Sequence, residues 1–347
     1  KTALIKKRNN NVTHSCLKKI NNNIINLIYD PNNNFLKPHN LQIGKNKTSY
    51  VNNYGNPKQN LFINRTNKRF IAVDGMQINL NKSLINNNDI KRSKNGHYGI
   101  SIISSMYAVM NNIPINYNLT ECNENNLNKK KVNETNGFLD QLHYLSSNDI
   151  IIFDRWYYSN KLIKKLNEKN IGYIFRMKSN SLFFKNMNLG KSKIINHLGV
   201  NIQLFKYKIK NDNYYILTSI VEKISIMEIK ALYGKRWKNE IDNKKFKYDI
   251  LYNGIRSKNY NSLLVDIESI RFVSIVSSLI EYLGKNKIKN KTKINTKNCL
   301  DILHNKLLKL ILFGKKDEEG YKNIFRIIGI IYKTITRIVD NRHYKRR

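Results

Sequence analysis

Cysteine is scarce in this chain. Cys16, Cys122 and Cys299 are the three in 347 residues, far apart and without a C-x-x-C pair. That spacing excludes a disulfide scaffold and a thiolate zinc site, and it fits a reducing compartment. Seven scattered His residues form no H-E-x-x-H or H-x-E arrangement, so the zinc-hydrolase patterns are missing as well. There is no serine-nucleophile elbow. Gly190-Lys191-Ser192 resembles the end of a phosphate loop, but Lys185 stands where that motif requires Gly. Long apolar runs are also lacking. The stretch IESIRFVSIVSSLIEYLG is interrupted by Arg271 and carries flanking acids, so nothing reads as a membrane-spanning helix. The opening KTALIKKRNNN has no signal-peptide core and no initiator Met, the mark of a fragment or a trimmed product.

Acidic residues are the other shortage. Twenty-four Asp and Glu face sixty-two Lys and Arg, a formal charge of +38. Such an excess opposes compaction by self-repulsion and points to a polyanionic partner, nucleic acid first and an anionic membrane surface a weak second. The abundance of Lys, Asn and Ile also fits an AT-rich genome, which accounts for part of the Lys content. With 41% hydrophobic residues the chain can bury a core of one large domain or two modest ones.

Residues 1 to about 65 are rich in Asn and Lys and weakly periodic, apart from a helix expected near His14–Ile28. They read either as a segment without fixed structure or as a small DNA-contacting module. Arg69–Leu80 changes to a β-branched, alternating run typical of a strand, with Asp74 inside it. Tyr98–Met110 and Ile113–Leu119 read as two strands around a tight Asn-Asn turn. Glu134–Leu145 has helical spacing, Asp149–Phe153 is a short apolar strand ending on Asp154, Ser159 can cap the next helix, and Ile171–Lys178 returns as a strand. An antiparallel start followed by strand–helix–strand crossovers implies a mixed sheet. The segment 179–221 is strand-like, with a hairpin turn expected at Asn211-Asp212-Asn213, and the remainder is mainly helical and basic.

Tyr233, Arg236, Glu240 and Lys247 are spaced three, four and seven residues apart. On a continuous helix they would project within roughly 60° of one another, an acid, a phenol and two cations on one stripe. A carboxylate that holds metal, beside donors that grip phosphate oxygens, is what phosphodiester chemistry requires. A solvated helix face with favourable charge pairs is the plainer reading of the same stripe. Asp154 would sit at the carboxyl end of a strand, where functional groups of open α/β sheets collect. Asp74-Gly75 also reads as a turn, and Asp154-Arg155 as a local ion pair. Two carboxylates about 4 Å apart repel by roughly 4 kcal/mol at an effective dielectric of 20, a penalty that a divalent cation reverses. Oxygen-only ligation favours Mg²⁺, with Mn²⁺ as substitute.

These stretches together resemble the DDE transposases of the insertion-sequence-four type. IAVDGMQINL is similar to the family's first-Asp strand. HYGISIISSMYAVMNNIPINYNLTECNENN resembles the strands after it, and DIIIFDRWYYSNKLIKKLNEKNIGYIFRMK the second-Asp segment. ALYGKRWKNEIDNKKFK carries the Y-x2-R-x3-E-x6-K signature. The resemblance covers roughly Phe70 to Glu281. It implies an α/β chain with a ribonuclease-H-like mixed sheet flanked by helices, a β-rich insertion and a helical C-terminal region. The implied divisions are a basic N-terminal segment (1–65), a first catalytic part (66–178), the insertion (179–222), a second catalytic part (223–290) and a basic helical region (291–347). Asp74, Asp154 and Glu240 would be the metal-binding catalytic triad; Tyr233, Arg236, Lys244, Lys247 and Arg155 would contact DNA. Two residues depart from the pattern. Trp156 replaces the usual Gly after Asp-Arg and is expected in the core, with stacking on an unpaired base as the alternative. Asn243 replaces an aromatic, which should weaken helix packing.

The chemistry implied is two-metal phosphoryl transfer: cleavage of transposon ends through a hairpin, then strand transfer into target DNA by a dimer on double-stranded DNA. The alternatives are a ribonuclease-H-like nuclease or resolvase, and a decayed transposase kept as a DNA-binding protein. The compartment follows the host: the nucleoid of a bacterium, or a nucleus or viral factory otherwise.

Overall fold

The computed structural model describes residues 13–29, 42–43, 50–51, 68–85, 90–92, 95–120, 122–123, 131–132, 134–222, 224–245, 255, 257–284, 292–294 and 317–337, with isolated positions 298, 302 and 306. Strands β1 (Arg69–Leu80), β2 (Gly99–Ala108) and β3 (Ile113–Leu119) form an antiparallel meander. The turn between β2 and β3 places Asn112 at φ 59°, a left-handed conformation that Asn tolerates. Helix α2 (Glu134–Leu139) leads to β4 (Asp149–Phe153), and α3 (Asn160–Glu168) crosses from β4 to β5 (Gly172–Arg176). Ser159 caps α3 by accepting from the Leu162 N–H. Both β4 and β5 run parallel in this half of the sheet, β4 against β1 and β5 against β4.

The chain then adds β6 (Lys191–His197), β7 (Val200–Ile209) and β8 (Asp212–Thr218), and β8 pairs antiparallel with β5. The sheet order is therefore β6-β7-β8-β5-β4-β1-β2, with β3 and the short strand Lys91–Arg92 both on the far side of β2. The core order β3-β2-β1-β4-β5 is the ribonuclease-H-like arrangement that the sequence implied. The β-rich segment extends that same sheet.

Three local expectations are corrected. The helix beginning at Glu134 stops at Leu139 and gives way to a 3-10 turn at Leu142–Tyr144. The β7–β8 hairpin turns at Lys210-Asn211, with Lys210 at φ 51°, because Asp212 already pairs with Ile209. The stripe expected on one helix is split between α4 (Ile226–Gly234) and α5 (Trp237–Lys245). At the junction Lys235 and Arg236 donate three residues back, to Leu232 and Tyr233, and Gly234, a poor helix former, sits there.

Alternation along the central strands sorts the core into two layers. Ile71, Val73, Ile151, Phe153 and Phe175 face α2 and α3, packing with Phe138, Leu162, Ile163 and Leu166. Phe70, Ala72, Ile150, Ile152 and Ile174 face α4, packing with Ile229, Ala231, Leu232 and Tyr233. Strands covered on both sides read as nearly continuous apolar runs, which is how β4 (DIIIF) looks.

Helix α1 (His14–Tyr29) belongs to this body. Its Asn21 amide donates to the Glu268 carbonyl (2.9 Å) and carboxylate (2.7 Å) on α6 (Tyr260–Gly284). Arg271, fully buried, pairs with Glu268 at 3.2 Å and donates to the Ile115 carbonyl at 2.6 Å. Most of the Asn-rich N-terminal segment lies outside the described residues, and so does much of 291–347, where helix α7 (Glu318–Lys333) is described. None of the described helices is long and apolar enough to cross a membrane.

Candidate active site

The two ends of the parallel strands carry different chemistry. At their start Arg69 grips Asp149 through two bonds, 2.7 and 2.9 Å, a local structural clamp. At the other end stand Asp74 and Asp154. Ala72 pairs with Ile152, so the register continued by two residues sets Asp74 level with Asp154. Both have the parity of the α4 face.

Glu240 arrives from α5. That helix docks on the sheet through amides: Asn239 is fully buried and Asn243 nearly so, four residues apart on one face. The Asn239 amide donates to the Ala72 carbonyl (3.1 Å), and the Asn243 amide to the Asp74 carboxylate (2.9 Å). Ser105, paired with Asp74 across β1 and β2, lies within hydrogen-bond distance of both Asn side-chain oxygens, at 3.1 and 3.0 Å. Asn243, expected to weaken packing, instead ties the helix to the first acid.

Tyr233 and Arg236 are buried, at 3% and 4% exposure. The Tyr233 hydroxyl reaches the Asp154 carboxylate at 3.4 Å, and Arg236 pairs with Glu240 at 2.7 Å. The Arg155 backbone N–H donates to Asp154 at 2.7 Å, while its side chain is exposed beside the Trp156 ring. Trp156 is 67% exposed, which overturns the expectation of a core residue. Cations flank it: the Arg155 guanidinium lies 5.4 Å from the ring centre and the Lys178 ammonium 4.9 Å. Lys244 lies on α5 with its side chain outside the described residues, and Lys247 is outside them altogether.

Charges couple across the site. Burial pushes Asp74 up to about 6; Glu240 and Glu134 push the same way, and Arg236 and the Asn243 hydrogen bond oppose them. Burial pushes Tyr233 up to about 12, with Asp154 adding and Arg236 and Arg176 opposing. Burial alone would lower Arg236, but Tyr233, Asp154 and Glu240 outweigh it and raise it. Glu134, which the sequence did not single out, is raised by burial and by Asp154. Only the structure links it to the site, since in the sequence it begins an ordinary helix.

Among the described residues no three His, Cys, Asp or Glu side chains are grouped to hold one metal ion. Glu240 is engaged by Arg236 instead. The donor set is carboxylate oxygen throughout, which suits Mg²⁺ or Mn²⁺. The rise at Asp74 reports negative charge that Arg236 compensates only in part, and such a place fits a cation.

A family model described as Transposase DDE domain matches residues 65–273. Among solved structures, the piggyBac transposase in its synaptic complex with hairpin DNA is similar at TM-score 0.43 and 16% identity, covering 75% of this chain and 57% of that one. The Argonaute of Marinitoga piezophila, in complex with 5′ OH guide RNA and target DNA, is similar at TM-score 0.18 and 12% identity, covering 53% and 26%. At such scores neither likeness bears on function. This chain thus spans little more than half the length of the piggyBac chain it matches. Among curated proteins none matches the sequence.

Proposed function

The chain belongs to the transposase DDE domain family, and from that premise we propose that it is a DNA transposase whose working acids are Asp74, Asp154 and Glu240. One observation carries the residue assignment. The two Asp stand level on neighbouring strands, and the helix bearing Glu240 is fastened to the first of them through Asn243. DDE transposases generally use divalent metal, and here Asp74, Asp154 and Glu240 would hold it. When bound, the metal supplies Lewis-acid activation of the attacking oxygen and stabilises the leaving 3′-oxygen.

The remaining chemistry falls to the chain's own groups. Tyr233 orients the Asp154 carboxylate from below, and Asn243 orients that of Asp74. Arg236 neutralises Glu240 until DNA arrives, then exchanges that carboxylate for a phosphate oxygen, to which a guanidinium can donate twice. Burial of Arg236 makes this exchange local, a swing between two anionic partners within one pocket. The basic excess supplies sequence-independent attraction to duplex DNA. Transposon ends and target would be held by a dimer, and cleavage would proceed through a hairpin on the transposon end, followed by strand transfer.

The test uses duplex DNA carrying the sequence that flanks this chain's own coding region. With Mg²⁺ or Mn²⁺ the expected products are nicks at the element boundary, followed by covalently closed ends on denaturing gels. Glu240→Gln should lower the rate by at least ~100-fold. Cleavage without closed ends would replace the hairpin route with a nuclease or resolvase reaction. DNA binding without any cleavage would leave a decayed transposase acting as a DNA-binding protein.

A further inference from the structure

One acid near the site has no role in the reading above. Glu134 opens α2, on the sheet face opposite the one that carries Asp74. Two separate features tie it to the site. The first is Gly75, next in the chain to Asp74. A Cβ built on Gly75 would lie 2.4 Å from Cδ and 2.6 Å from Oε1 of Glu134, so only a residue without a side chain leaves room for this carboxyl against the strand. The second is Tyr157, three residues beyond Asp154 and 2% exposed. Its phenol stands close enough to Glu134, Asp74 and Asp154 to feel all three, yet its hydroxyl lacks a hydrogen-bond partner of ordinary geometry among the described residues.

A carboxylate in this position is costly as plain architecture. It adds negative charge beside Asp74 and Asp154, on a half-buried side chain. A neutral Gln would fill the same volume without repulsion. The gap at Gly75 and the phenol aimed at the cluster instead keep an acid there, and a cation is what would repay the arrangement. We propose that Glu134 is a fourth carboxylate of the cation site, gripping a divalent ion from the face opposite Glu240, with Tyr157 as its positioning residue. This inference rests on the reading of Asp74 as a metal ligand.

The experiment is a Mn²⁺ titration of the full chain without DNA, followed by electron paramagnetic resonance of the free ion. Wild type is compared with Asp74→Asn, Glu134→Gln, Gly75→Ala and Tyr157→Phe, and metal-free thermal unfolding of each is recorded alongside. Glu134→Gln should bind Mn²⁺ about 10-fold more weakly, within the range for groups that tune a metal site. Its metal-free stability should be unchanged or raised, since a repelled charge is gone. Gly75→Ala should weaken binding similarly, because its methyl group displaces the same carboxyl, and it serves where Glu134→Gln folds poorly. Tyr157→Phe should weaken binding by less. If Asp74→Asn loses affinity while Glu134→Gln and Gly75→Ala keep the wild-type value, Glu134 is architectural and the inference falls alone. If Asp74→Asn also leaves affinity unchanged, the cation-site reading falls with it.

Discussion

The Asn243 amide donates to the Asp74 carboxylate at 2.9 Å, joining the helix that bears Glu240 to the strand that bears the first acid. The bond does two things at once. It fixes the rotamer of Asp74, and it sets the depth at which α5 sits on the sheet. Asn243→Ala should lower stability by about 1–2 kcal/mol, the usual consequence of leaving buried polar partners unsatisfied. It should also raise the Mg²⁺ concentration needed for half-maximal cleavage, because Asp74 is no longer held in place. Differential scanning calorimetry and a Mg²⁺ titration of nicking would check both. A variant with wild-type stability and metal dependence would show that the amide contact is incidental.

Asp74 also gives the metal-free protein a pH dependence of unusual sign. Its folded pKa is pushed up to about 6 from 3.8, chiefly by burial. The stability linked to it is therefore fully present below 3.8 and lost as pH rises through about 6. Asp74→Asn removes the titration. Between pH 4 and 7 in chelator, the variant should gain on wild type by on the order of 2–3 kcal/mol. Urea unfolding of both proteins across that range measures the gap. A gap that stays flat with pH would mean that Asp74 titrates normally.

Arg236 and Glu240 form a pair in which the cation is buried and the acid 26% exposed. Removing the cation strands a carboxylate beside Asp74, so Arg236→Ala should cost about 2–3 kcal/mol, somewhat below the figure for a fully buried pair. Glu240→Gln should cost much less, because it relieves repulsion on Asp74 while losing the pair. In the double variant the penalties should fall short of additive, which a double-mutant cycle on unfolding free energies would reveal. Strict additivity would mean that the two side chains do not interact in solution.

The sequence exposed the parts of this site that follow from periodicity. Alternation in RFIAVDGMQINL puts Phe70, Ala72 and Asp74 on one face, and DIIIF followed by Asp154 reads as a strand end. The spacing of Tyr233, Arg236 and Glu240 brought three site residues together, and their contacts survive the break between α4 and α5 because that break is a single tight turn. Periodicity could not show the break itself, which depends on backbone bonding at Lys235 and Arg236. Nor could it show that Asn239 and Asn243 dock α5 through amides, since buried polar residues look like surface ones in a pattern. Glu134 was hidden for a different reason: it reaches the site through the space at Gly75, a contact across 59 residues of chain that no local signal records. Trp156 misled in the opposite direction, because a large aromatic after a buried strand is usually core, and here the turn carries it outward.

The charge excess predicts a steep salt dependence. A footprint of about eight phosphates gives a slope near −7 in log K against log salt on duplex DNA. Fluorescence anisotropy between 50 and 300 mM salt, roughly the useful range, would measure it. A slope near −2 would mean a narrow contact and would remove the broad-footprint interpretation of the basic surface.

Trp156 offers the sharpest separation of folding from binding. Its ring is 67% exposed, two residues beyond Asp154, with Arg155 and Lys178 beside it. An exposed side chain contributes little to the core, so Trp156→Ala should change stability by less than about 0.5 kcal/mol. A ring placed there between two cations can stack on a base while the cations hold the adjoining phosphates. Loss of such a stack costs about 1–3 kcal/mol per base, and only where a base is unpaired. The variant should therefore bind a gapped or single-stranded substrate roughly 5- to 100-fold more weakly, and fully paired duplex with near wild-type affinity. Trp156→Phe should recover most of the loss, because a smaller ring still stacks. Equal weakening on paired and unpaired DNA would assign the residue to general backbone contact, and no weakening on either would leave the exposed ring without a part in DNA binding.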